Sequence, residues 1–179
     1  MMRVLMAGAA LALAAVPVAG LAQEGAKLDC VVTTATSTFK ASVGEAMTGG
    51  GDEAGRDALF GQLGTLVDGC VAKHGIAAAQ KGDYFDYSLA RISREWLVGE
   101  ISKSNLKAGI VDKALDFGPR GANPDLSNDM TEDQIGAIVA AYVADGVDVE
   151  AVDQSVWEKV GAYAAATSIY WNKRKLLPF

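Results

Sequence analysis

The sequence predicts an all-α protein: a single domain of about six helices, built from helical hairpins. Three observations carry that expectation. Apolar residues recur at three- and four-residue steps through most of the chain, the spacing of one helical face. No segment alternates apolar and polar residues as a half-buried strand does. The only two cysteines, Cys30 and Cys70, stand twenty residues on either side of Gly50, the middle of a triple glycine.

The first hairpin follows from that symmetry. In "LDCVVTTATSTFKASVGEAM", Val32, Ala35, Phe39, Val43 and Ala46 predict one amphipathic helix. Gly49, Gly50 and Gly51 supply a flexible turn. Asp52 and Glu53 suit the start of a second helix, where the dipole favours negative charge. Leu59, Leu63, Leu66 and Cys70 form its face, and Gly75 suits its end. Helices joined by a short loop pack antiparallel. Residues equidistant from the turn then lie at one height, here about 27 Å from it at ~1.5 Å per residue. A disulfide between Cys30 and Cys70 is expected to close this hairpin. Cys30 lies off the apolar stripe, so it is expected to precede the first regular turn.

The later elements read in the same way. Phe85, Leu89, Ile92, Trp96 and Gly99 predict a third helix over residues 83–103. Leu106, Ile110, Val111, Ala114 and Leu115 predict a short fourth one. "GPRGANPDLSND" reads as a loop. Thr131 followed by Gln134 is a capping box that opens a fifth helix. Ile135, Ile138, Val139, Tyr142 and Val143 are its expected buried face, and Gly146 its end. The last helix is expected over residues 148–176, with Val149, Val152, Val156, Val160, Tyr163, Thr167 and Tyr170 as its stripe.

The N-terminus has the form of a secretory leader. Arg3 is followed by an apolar run, then by Gly20 and Ala22 at the small-residue positions before a cut. Residues 1–22 are therefore expected to be removed, leaving 23–179 as one domain in a periplasmic or extracellular, disulfide-permissive compartment. Without Arg3, 15 basic residues face 22 acidic ones, a net charge of −7. That balance disfavours nucleic acid or an anionic membrane as the main partner. "IGAIVAAYVA", residues 135–144, is too short to span a bilayer and reads as a buried helix segment.

Chemistry is sparse. The one histidine, His74, precedes Gly75 and reads as a helix C-terminal residue. Zinc sites need clusters of His and Cys, and no metal or cofactor is expected. "NPDLSNDMTEDQ" offers Asp125, Ser127 and Asp129 at calcium-loop positions, but Asn128 stands where the glycine is required and Gln134 where the bidentate Glu is required. Glu95, beside Trp96, is the candidate catalytic acid; Glu100, five residues on, lies about 140° around the helix and shares no face with it. Arg91 stands at i−4 from Glu95, the spacing of an ion pair.

Charge is the most distinctive pattern. From Gly121 to Glu158 there are nine acids and no Lys or Arg; from Lys159 to Phe179 there are four bases and no acids. In the last helix this complements the macrodipole. It leaves Asp125, Asp129, Glu132 and Asp133 as candidate binding residues for a basic partner. The tail "YWNKRKLLPF" offers only a small patch to a membrane surface. The expected function is that of a non-catalytic binding or interaction protein with a protein partner: an inhibitor, an accessory subunit or a chaperone-like factor. The alternative is a hydrolase acting on cell-wall material through a buried carboxylate.

Overall fold

The computed structural model describes residues 19–179. The expected leader lies outside the described residues except for its last four, which begin the first helix. The helices are α1 (Ala19–Thr34), α2 (Ser37–Met47), α3 (Glu53–His74), α4 (Lys81–Ser102), α5 (Gly109–Ala114), α6 (Glu132–Ala144) and α7 (Gln154–Leu176). A 3-10 turn, Ala78–Gln80, leads into α4. Among the described residues there is no strand, and no helix is long and apolar enough to cross a membrane.

α4 and α7 form an antiparallel spine. Their partners run in opposite order: Lys173 reaches Asp83 at 2.8 Å and Asp86 at 2.9 Å, Arg94 donates to Thr167, and Lys159 reaches Glu100 at 3.2 Å. Two apolar clusters sit at opposite ends of this spine. The first joins α1, α2, α3 and the start of α4 around Val31, Val43, Leu63, Val67, Tyr84 and Tyr87. The second joins the end of α4, α5, α6 and the start of α7 around Leu97, Ile101, Val111, Ile138, Tyr142 and Tyr163. Leu177 and Phe179 fold back into the first cluster, with Phe179 edge-on to Tyr84. Leu177 and Phe179 of the tail thus face the interior, whereas Leu176 and Pro178 are exposed.

Cys30 and Cys70 are joined, with Cα atoms 5.9 Å apart. The bond ties α1 to α3, but the first arm is two helices rather than one. The chain breaks at Ala35–Thr36, where Thr36 takes an extended backbone and its hydroxyl accepts from the Phe39 amide to cap α2. Five of the eight residues from 31 to 38 are Thr or Ser, whose hydroxyls offer the backbone local bonds that compete with helix. Contrary to the expectation that it precedes the first regular turn, Cys30 lies within α1; it falls off the stripe because the 100° step does not carry across the break at Ala35–Thr36. Val32, Ala35, Val43 and Ala46 are nonetheless buried.

The glycine run is not a flexible hinge. Gly49 (φ 86°) and Gly51 (φ 76°) occupy left-handed backbone. Gly50 donates to Glu45 O at 2.9 Å, and a Cβ there would stand 2.8 Å from that oxygen. Each glycine meets a separate steric demand in a closed turn.

α4 is more central than an amphipathic reading implies. Tyr84, Tyr87, Ser88, Ala90, Ile92, Ser93, Leu97 and Ile101 are buried, whereas Phe85, Leu89 and Trp96 are half-buried and Gly99 is exposed. Helices touch it on several sides, so no single stripe describes it. Its buried serines donate to carbonyls one turn back, Ser88 to Tyr84 O at 2.7 Å and Ser93 to Leu89 O at 2.8 Å. α2 approaches closely through Gly44, where a Cβ would overlap the Trp96 indole.

α7 begins at Gln154, six residues later than expected; Asp153 caps it, and residues 148–151 form a turn. The capping box at Thr131 and Gln134 is present in both directions. The loop between α5 and α6 is pinned by Asn123, buried at left-handed φ 50°. Its side chain accepts from the Gly118 amide and donates to the carbonyls of Gly118 and Gly121.

Candidate functional site: an acid-rimmed apolar groove

α6 carries apolar residues on more than one face, and α5 covers only part of them. Ile138 and Tyr142 are buried; Tyr142 donates to Lys107 O and lies edge-on to Trp157 of α7 at 5.5 Å. Burial pushes the Tyr142 hydroxyl up to about 12, with nearby Asp112 and Asp145 adding to the shift. Ile135 and Val143, expected inside, are 47% and 53% exposed, and Val139 is half-buried. The whole-face burial read from the sequence is thus corrected, because α5 packs closely on α6 whereas α7 makes little direct contact with it.

The space between them is a groove of about 400 Å³. Met130, Ile135, Ile138, Val139, Val149, Trp157, Val160 and Gly161 line it, none of them with an ionisable group. Gly161 lines it without a side chain: a Cβ there would be in ordinary contact with the Met130 Cε at 3.8 Å, and a side chain as large as Phe would occupy groove space. Asp125, Asp129, Glu132, Asp133, Asp145, Asp148, Glu150, Asp153 and Glu158 are all exposed, and Asp129, Asp148, Glu150 and Glu158 directly adjoin lining residues in sequence. Among the described residues only Asp145 of these nine is ion-paired, to Lys107 at 2.8 Å.

These carboxylates do not converge on a point. Asp125 accepts from the Ser127 amide, Asp148 from that of Glu150 and Asp153 from that of Ser155, each a local turn or cap. The Ser155 contact holds the Asp153 carboxyl below the usual carboxylate range. Asn123, first of the calcium-like letters, is committed to its own loop. Among the described residues no three His, Cys, Asp or Glu side chains gather as a metal site.

Glu95 lies elsewhere, at a second, polar cleft of about 260 Å³ lined by Gly25, Leu28, Asp29, Tyr87, Arg91, Arg94, Glu95 and Tyr170. Its carboxylate takes the Arg91 Nε at 3.0 Å and its side chain is 44% exposed. Arg91 also reaches Asp29 at 2.6 Å and donates to Leu28 O. Arg94 bonds Asp112 at 2.8 Å and faces the Tyr163 and Tyr170 rings. Tyr163 donates to the same Asp112, and burial pushes its hydroxyl well up. Both guanidiniums are thus matched by carboxylates, and the cleft ties α1, α4, α5 and α7 together. His74 ends α3, as its position before Gly75 implies, with Nε2 buried and without a hydrogen-bond partner.

Sequence reasoning marked the acids but missed Met130, Trp157 and Gly161 as groove residues. The available signal was the excess of apolar residues on α6, more than one covered face needs. The fold and the groove together define a disulfide-closed helical domain with one of its apolar helices partly uncovered. Compared with known protein families, curated proteins and solved structures, the chain matches none of them.

Proposed function

We propose that the protein is a non-catalytic binding protein of a periplasmic or extracellular compartment, and that the groove between α6 and α7 is where it binds. The groove itself carries this reading. It offers preformed apolar area, a Trp anchor and no acid–base group, the composition of a site that holds a partner rather than transforms one. The Cys30–Cys70 bond and the secretory form of residues 1–22 support the compartment. The hydrolase alternative needs a desolvated acid. Glu95 is half-exposed and held by Arg91, and the acids of residues 125–133 are exposed. Neither arrangement favours it.

Titration with the neutral dye N-phenyl-1-naphthylamine tests the reading. The expected result is blue-shifted dye emission with the parent protein, and its loss in Gly161→Phe with circular dichroism unchanged. No dye uptake by the parent, or equal uptake by both proteins, overturns it.

A further inference from the structure

We infer that the occupant of the α6–α7 groove is a cationic amphipathic helix of a partner protein. The inference rests on the groove being the binding site proposed above, and adds the chemistry of what fills it.

Shape comes first. Ile135, Val139 and Val143 stand on successive turns of α6, the spacing that a helix laid in a groove meets with its own i and i+4 anchors. Ile135 and Val143 are two of only four large apolar side chains left exposed among the described residues. Ile135 and Val143 stand eight positions apart on α6, about 12 Å or two turns of helix, and a ridge of repeated apolar side chains along a helix axis suits another helix better than a small molecule.

Charge selects among occupants. Carboxylates neighbour the lining residues on both sides, by sequence and helical spacing. On α6, Glu132 lies one turn before Ile135 and almost in line with Val139. On the α7 side, Asp153 lies one turn before Trp157, and Glu158 follows it. Asp148 and Glu150 flank Val149. None of these five is ion-paired among the described residues. A neutral ligand would leave them unanswered, and an anionic ligand or membrane surface would be repelled. A second copy pairing through the same face would set one acidic rim against another, because a two-fold interface brings like patches together. Lys and Arg answer the pattern, since their stems lie along apolar surface while their heads reach the rim.

The test uses the oxidised protein and a fluorescein-labelled peptide of Leu and Lys, about five helical turns long and amphipathic. The matched control replaces each Lys by Glu. Anisotropy is expected to show saturable binding of the Lys peptide only, at least tenfold weaker in about 0.3 M salt than in low salt. Glu132→Gln/Asp153→Asn/Glu158→Gln, all at exposed positions and with the asparagine able to keep the α7 cap, is expected to weaken it by tenfold or more while still taking up the neutral dye. Equal binding of both peptides, or no effect of the triple change, overturns the cationic helix and leaves the groove reading standing if dye uptake persists. Absence of both peptide and dye binding overturns both. A dimer in sedimentation that Gly161→Phe abolishes makes a second copy the occupant and overturns this inference.

Discussion

The two ends of the α4–α7 spine solve the same problem differently. At the disulfide end, α1, α2, α3 and the returning tail cover the start of α4 from several sides. At the groove end, α5 and α6 cover the other half, and α6 remains partly bare. One end is closed by a covalent bond and the other is left open near eight exposed carboxylates that have no ion-pair partner among the described residues. If the groove binds as proposed, stability and recognition are housed in different halves of a small domain, and groove residues can vary without disturbing the cross-linked core.

The largest test of that division is removal of the bond. Cys30→Ser/Cys70→Ser opens a loop with a sequence separation of 40, and the expected loss is up to ~4 kcal/mol. Thermal melting reads the loss. Hydrogen exchange is expected to place it in α1–α3 more than in α6, and uniform acceleration would show that the ends are not separable. Gly44→Ala comes next. The added methyl meets the Trp96 ring, which itself packs against the second cluster. Overpacking of this kind costs ~1–3 kcal/mol, seen as a lower urea midpoint; an unchanged midpoint would mean that the two helices separate freely. Ile135→Ser should shift the midpoint by less than about 0.5 kcal/mol, because the side chain is nearly half exposed. A larger loss would place Ile135 among the core residues.

The smallest effects separate the ends by pH. At the groove end Lys103, against an opposing desolvation, and then Lys159 hold the Glu100 carboxyl below its usual range. Its folded value is depressed, so its contribution is present above the unfolded pKa and lost as pH falls through the folded one. At the disulfide end Asp83 and Asp86 raise the Lys173 ammonium. That contribution is complete below the unfolded lysine value and lost as pH rises through the folded one. Glu100→Gln should therefore flatten only the acid limb of a stability–pH curve, and Lys173→Met only the alkaline limb. Each effect is expected at about 0.5 kcal/mol, because the cations are partly or largely solvated. Changes on the wrong limb would reassign the pairs.

Fold class was legible because helical periodicity is local: the stripes of the hairpin, the capping box at Thr131 and the loop before it all act within a few residues. The cysteine pairing was legible because there are only two cysteines and they stand symmetrically about one turn. What was hidden depends on distant neighbours. Arg91 and Asp29 are 62 positions apart, and Arg94 and Thr167 are 73; no spacing rule joins them. The break at Thr36 was hidden because the apolar stripe stays buried on both sides of it. The groove was hidden because an uncovered apolar face and a covered one have the same letters; only the path of α7 tells them apart.

The position of the cross-link also has a consequence for rates. Cys30 and Cys70 both precede α4, whereas α4 meets α7 through pairs 59 to 90 positions apart. Distant pairing of that kind slows folding, because the loop must close before its contacts form. The disulfide does not shorten that loop. Oxidation therefore leaves the slow docking of α7 nearly unchanged and acts instead on how quickly the α1–α3 end lets go.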